Sequence, residues 1–359
     1  MTTATATDAK PRRRRKGQVV TYSSYALLAL IGVWLVANLL EDPARFATVF
    51  LSGVRMGSLY ALIALGYTMV YGIIQLINFA HGDLFMLGTI FAGTTIGWVF
   101  AFAGKSVGEF GTESAPSMAL GIAALIAAFV LSMIFCGGIN YLIELLAYRR
   151  LRTAPKLAPL ITAVGMSFVL QYIGLQWNGS GPQGWIPVMP RTNFAIGEVV
   201  VQYSTIIIIS LTVPLLLALT FLVNKTRQGK AMRATAQDQD AARLMGINVN
   251  RTISFTFLIG GALAGAAGLM YQQMVATTTY NAGYRMGLIA FTAAVLGGIG
   301  NLNGAVLGGV LIGIISELNA GLPYGFGQRW EQSVVFTILI LLMVFKPEGI
   351  LGKRTTEKV

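Results

Sequence analysis

Ten apolar runs, separated by short polar connections, leave this chain few folds to choose from. They cover approximately residues 25–40, 47–74, 84–103, 117–147, 157–177, 203–223, 252–275, 287–300, 302–320 and 330–346. A helix needs ~20 apolar residues to cross a bilayer, and in lipid every backbone N–H and C=O must find its partner within the protein. The runs therefore predict an all-α polytopic membrane protein with about ten transmembrane segments. Composition agrees, because 55% of residues are hydrophobic and 11% charged, against roughly 25% charged in a soluble domain. The 42 glycines are spread through the apolar runs, where small residues let helices approach closely. The single cysteine, Cys136, lies in one of these runs, so no disulfide framework and no Cys-rich metal site is possible.

Charge sets the expected orientation. The net charge of +12 could suggest nucleic acid, but in a membrane protein Lys and Arg gather in cytoplasmic connections, so no nucleic-acid partner is expected. With the N-terminus inside and ten crossings, every Lys and Arg falls on the inner side except Arg45, Arg55, Lys105, Arg191, Arg285 and Arg329. Both termini are then cytoplasmic. Trp34, Trp98, Trp177, Trp185 and Trp330 fall toward the outer half. Residues 1–22 read as a basic cytoplasmic tail. Residues 23–46 read as an extra N-terminal transmembrane helix with its outer loop, retained because no small-x-small cleavage site follows. Residues 47–352 form the core, and 353–359 a cytoplasmic C-terminal tail. The longest outer connection, 178–202, is rich in turn residues. It is either a plain connector or a docking surface for an external partner.

Two interruptions carry the chemistry. The first follows Gly66-Tyr67-Thr68-Met69-Val70-Tyr71-Gly72, where Asn78-Phe79-Ala80-His81-Gly82-Asp83 breaks the apolar pattern. Polar side chains at membrane depth are costly and tend to face a partner helix or a watery path. Broken helices survive there only where protein or water meets the freed backbone, and their ends offer N–H groups and dipoles to a charged solute. Asn78, His81, Gly82 and Asp83 are therefore candidates for a solute path, with helix capping the competing role for Asp83. The second interruption is Leu296-Gly297-Gly298-Ile299-Gly300-Asn301-Leu302-Asn303-Gly304. Here Gly297, Gly298, Gly300 and Asn301 suit a break between half-helices, and 287–320 either crosses twice or forms a re-entrant pair. Glu317 is an intramembrane acid, a path candidate or a packed carboxylate.

The polar inner segment 224–251 contains Asp238-Gln239-Asp240-Ala241-Ala242-Arg243-Leu244-Met245-Gly246. Acid at the start and Gly as terminator predict a short capped helix, with a small Ala face suited to docking in a partner's groove. Asp240-Ala241-Ala242-x-x-x-Gly246 resembles the coupling-loop signature of ABC importer permeases, with Asp where Glu is usual. Asp238, Asp240, Ala241, Ala242, Arg243, Leu244 and Gly246 are thus candidates for coupling to an ATPase. No G-x-x-x-x-G-K-[ST] loop, HExxH or G-x-S-x-G is present, so the chain is expected to need no cofactor or metal and to be no enzyme.

These motifs are joined by Arg227-Gln228-Gly229-Lys230-Ala231-Met232-Arg233-Ala234, Ala293-Ala294-Val295-Leu296-Gly297-Gly298-Ile299-Gly300 and Pro347-Glu348-Gly349-Ile350-Leu351-Gly352. Together, from about Phe50 to the C-terminus, the chain resembles the permease subunit of high-affinity branched-chain amino acid ABC importers, the LivH type. Residues 1–46 depart from that pattern. The resemblance implies a bacterial inner-membrane subunit that forms the path for leucine, isoleucine or valine. It implies a LivM-type permease partner or a second copy, two cytosolic ABC ATPase subunits that hydrolyse the ATP, and an extracytoplasmic solute-binding protein. Related permeases for urea and short amides leave the solute open. The rival reading is an ion-coupled secondary transporter relying on Glu317, Asp83 or His81.

Overall fold

The computed structural model describes residues 29–76, 78–105, 118–152, 154–155, 157–185, 187–189 and 192–352. The basic tail 1–22 and the C-terminal tail 353–359 lie outside the described residues. Among the described residues twelve helices follow one another: α1 (Ala29–Glu41), α2 (Pro43–Ile74), α3 (Ala80–Phe102), α4 (Met118–Leu151), α5 (Leu157–Asn178), α6 (Tyr203–Lys225), α7 (Arg227–Gln237), α8 (Gln239–Leu244), α9 (Val249–Val275), α10 (Ala282–Gly297), α11 (Leu302–Gly321) and α12 (Gln328–Phe345). Among the described residues, eight helices are long and apolar enough to cross a membrane, and α1 and α10 are shorter apolar helices. The ten apolar runs of the sequence thus become eight full-length candidates and two short ones.

Packing sorts the helices into an inner and an outer set. The most apolar stretch of α2 is 83% buried, that of α9 78% and that of α3 67%, whereas those of α4, α5 and α6 are 28%, 28% and 22% buried. The outer set keeps large apolar side chains such as Phe168, Tyr172, Leu217 and Phe221 exposed, as a surface that faces lipid or another membrane subunit requires.

The tightest seam joins α2 to α11. Gly53 and Gly57 on α2 meet Gly309 and Gly313 on α11, so each helix presents a G-x-x-x-G pair to the other. A Cβ at Gly57 would stand 2.7 Å from the Cα of Val310, and one at Gly313 would overlap Gly57.

The connections 178–202 and 276–281 fold over the ends of the helices. β1 (Gln183–Gly184) pairs antiparallel with β4 (Thr277–Thr278), and β2 (Asn193–Ile196) forms a hairpin with β3 (Val199–Gln202). Trp185 lies across Gly93 of α3. Gln273 Oε1 accepts from the backbone N–H groups of Val188 and Met189 at 2.8 and 2.9 Å. The described parts of 178–202 are thus hydrogen-bonded to the helix ends. At the same end, Arg45 Nε donates to Gly321 O and Tyr324 Oη to Glu41.

Candidate functional site

The first interruption is a true helix break, placed slightly earlier than the sequence suggests. α2 runs through Gly66 and Gly72 and stops at Ile74, where Gln75 takes a left-handed conformation with φ 53°. α3 begins at Ala80. His81, Gly82 and Asp83 belong to its first turn, and Asn78 to the linker.

α3 starts inside the bundle rather than at its surface. His81 lies on Gly66, two turns short of the end of α2, or about 12 Å along the helix axis. Asp83 meets Ser167, midway along α5. α10 starts at the same depth, because a Cβ at Gly82 would stand 2.7 Å from the Cα of Gly287 and one at Gly283 would stand 2.7 Å from the Cα of Asp83. The N-terminal turns of two short-starting helices thus meet in the middle of the bundle, in contact that only glycine permits.

All four polar or small candidates here are enclosed. Asn78, His81 and Asp83 are at most 3% exposed. Tyr148 Oη donates to Asn78 Oδ1 at 2.9 Å. Ser167 Oγ donates to Asp83 Oδ2 at 2.5 Å, and Gln171 Nε2 donates to Ser167 Oγ at 3.1 Å. Tyr67 stands edge-on to His81 at 4.7 Å between ring centroids, and Phe291 packs near both Tyr67 and Phe79. Sequence reasoning missed Tyr67, Tyr148, Ser167, Gln171 and Phe291. The signal for two of them was present, since Ser167 and Gln171 sit four residues apart, and so on one face, in an apolar run.

The second interruption lies elsewhere. Gly297, Gly298, Gly300 and Asn301 form the turn between α10 and α11, with φ of 106° at Gly298 and 90° at Gly300. Asn301 caps α11 by accepting from the N–H groups of Asn303 and Gly304. Its Nδ2 donates to Leu351 O, and the N–H groups of Ile350 and Leu351 donate to Leu296 O and Gly297 O. The Pro347–Gly352 segment is thus laced to this turn. Near the end of α2, a Cβ at Gly72 would stand 3.7 Å from the Cα of Gly300. Glu317 is partly exposed on α11 and interacts electrostatically with Arg55 of α2, whose guanidinium reaches Gln202 and Ser204.

The polar segment 224–251 forms α7 and α8 one after the other. Asp238 Oδ1 accepts from the N–H groups of Asp240 and Ala241, capping α8 as expected. Asp240 and Arg243 pair at 2.7 Å on the surface. Ala242 is buried and anchors α8 to the bundle, whereas Leu244 is 88% and Met245 82% exposed. Gly246 takes φ 78°. The outward apolar face is therefore Leu244–Met245, not Ala242.

Near its C-terminal end α4 contains a π-helical turn, Glu144–Tyr148. The Glu144 carboxylate is buried and holds Arg149 at 3.1 Å, Ser254 at 2.5 Å and Arg152. Arg152 also donates to Asn250 at 2.7 Å. Burial pulls the pKa of Arg152 down from its ordinary value, and the Glu144 charge opposes that. Among the described residues no group of three or more His, Cys, Asp or Glu could hold a metal ion.

Residues 49–344 match the family described as branched-chain amino acid transport system / permease component. The high-affinity branched-chain amino acid transport system permease protein BraD of Pseudomonas aeruginosa is 41% identical over 313 residues, covering 86% of this chain and 96% of its own. LivH of Escherichia coli is 36% identical over 341 residues, covering 89% and 99%. A probable LivH of Methanocaldococcus jannaschii is 28% identical over 326 residues. No solved structure matches the chain. The chain belongs to the branched-chain amino acid permease family.

Proposed function

We propose that the chain is the membrane-spanning permease subunit of an ATP-driven ABC importer for branched-chain amino acids, in a bacterial inner membrane. The observation that carries this reading is the meeting of α3 and α10 inside the bundle, where Asn78, His81 and Asp83 put polar groups at membrane depth. Helix ends at that depth offer partial charges to a zwitterion. The relatives at 36–41% identity are named for branched-chain amino acids rather than urea or amides, which favours leucine, isoleucine or valine as cargo.

The rest of the assembly follows the same reading. The end that carries Arg149, Arg152, α7, α8 and Lys346 faces the cytoplasm, where basic residues collect. Both termini lie there, and α1 and α10 complete ten crossings. Two ATPase subunits dock on the inner loops, one of them on α8, a second permease of LivM type or another copy covers the outer helices, and a solute-binding protein delivers cargo at the far end. ATP hydrolysis resides in the partner subunits. Closure of the ATPases moves α8, and the Glu144–Ser254–Arg152 cluster ties the neighbouring ends of α4 and α9 together so that they shift with it. The path then opens beside Asn78–Asp83, with Gly297–Asn301 as the hinge at its inner end and Glu317 toward the other end.

Replacing Leu244 and Met245 together by Ser tests the coupling face. In vesicles holding the complete complex and binding protein, ATP hydrolysis by the partners should continue while leucine uptake collapses. Full uptake by that variant would refute the coupling role.

A further inference from the structure

α4 departs from α-helical geometry near its C-terminal end. The N–H of Arg149 reaches back five residues to Glu144 O, so Glu144–Tyr148 is a single π-helical turn that holds one residue more than the α-helical turn it replaces. Such turns are rare and concentrate at functional sites. Here each end of the turn is held by a different part of the molecule. At its start, the buried Glu144 carboxylate accepts from Ser254 of α9 and from Arg149 and Arg152 beyond the turn. At its end, Tyr148 is 3% exposed and packs on Phe257 of α9 with ring centroids 5.6 Å apart. Its hydroxyl donates to Asn78 Oδ1, in the break between α2 and α3. One turn of helix therefore joins the ion cluster to the linker beside the path.

A π-turn can move. When an N–H exchanges the carbonyl five residues back for the one four residues back, the widened turn passes along the helix, and each residue it passes turns by about 100°. In α4 only one direction is open. Toward the N-terminus the helix is locked into α9. A Cβ at Gly261 would overlap Cys136 O, one at Gly265 would overlap Ser132 O, and Asn140 Nδ2 donates to Phe257 O at 2.6 Å. Toward the C-terminus the hold is made of side-chain bonds, from Arg149 and Arg152 to Glu144, Ser254 and Asn250. The charge of Arg243 on α8 reaches Arg152.

We infer that this π-turn is the register switch between ATPase engagement and the solute path, and that Tyr148 is the positioning residue it moves. A pull at the α8 end draws Arg152 from Glu144. The widened turn then slides past Tyr148 toward Leu151, and the Tyr148 hydroxyl swings off Asn78. This releases the 75–79 linker, and the path beside it opens. The inference rests on the import reading above and names the element that transmits its coupling. A turn with two registers supplies the discrete arrangements that such transmission requires.

The test uses the complete complex with its binding protein in proteoliposomes. Deleting Leu146, which is 66% exposed, removes the extra residue, so that an unbroken α-helix carries both flanks in nearly their present directions. This variant should assemble, melt no lower than the native complex and lose most of its leucine uptake, because Tyr148 stays on Asn78. Tyr148→Phe keeps the π-turn and removes the bond. Liposomes loaded with leucine and given no ATP should then leak about fivefold faster than with the native complex, the population shift expected from losing one hydrogen bond. The deletion combined with Tyr148→Phe should leak equally, which a collapsed path would not do. Native-rate uptake by the deletion variant overturns the inference and leaves the import reading intact. So does native-rate leakage by Tyr148→Phe, which decides the matter even where the deletion fails to assemble. If the unsubstituted complex imports no leucine, both fall together.

Discussion

Single methyl groups decide how closely α2 and α11 approach. Gly313→Ala pushes a Cβ into Gly57, and overpacking of this kind costs about 1–3 kcal/mol. Gly97, on α3, faces open space, with no atom within 4 Å of where a Cβ would stand, so Gly97→Ala should be neutral or stabilise by about 0.5–1 kcal/mol through helix propensity. Thermal unfolding of the two variants in detergent checks the contrast. Glu144 is the second residue on which much depends. Glu144→Ala strands Arg149 and Arg152, which are 32% and 14% exposed in their side chains, and breaking such a pair costs about 3–5 kcal/mol. Ser254→Ala removes one donor to the carboxylate and an acceptor for Arg149 Nη2 but leaves the charges paired, and should cost about 1.5–3 kcal/mol. Equal melting points for the two variants would contradict the buried-charge argument.

At the scale of elements, Tyr148 of α4 helps hold the break between α2 and α3 from outside. Tyr148→Phe removes the donor to Asn78 Oδ1, at about 1 kcal/mol. The fold should survive, while amide exchange at residues 75–79 rises relative to the flanking helices. The existence of this break was legible, because Asn78, His81 and Asp83 interrupt an apolar run with groups that lipid rejects. Its position was not, because Gln75 ends α2 in a left-handed turn that favours Gly or Asn rather than Gln. The cap of α8 was legible from Asp238. Its inward face was not, since six residues make too few turns to show a periodic pattern. The start of α10 was hidden for another reason: Ala282-Gly283-Tyr284-Arg285-Met286 carries a charge and two small residues, and so reads as a connection. Only its contact with the first turn of α3 reveals it as helix. The partners Ser167 and Gln171 lie 84 and 88 positions from Asp83 in sequence, a separation that local pattern cannot bridge.

Across the whole molecule, three enclosed helices, α2, α3 and α9, form a frame around the break, and the outer helices expose apolar faces. Apolar run lengths and the sorting of basic residues to one end made this architecture legible. The depth at which α3 and α10 begin was not, because hydropathy reports length rather than height in the bundle. The exposed Leu244–Met245 knob offers a surface through which partners can act. The most direct measurement is leucine accumulation in proteoliposomes that hold either the complete complex with ATP inside and binding protein outside, or this chain alone under an imposed proton or sodium gradient. Accumulation should occur only in the first and should stop when ATP is withheld. Accumulation by the chain alone on an ion gradient would contradict the proposed division of labour.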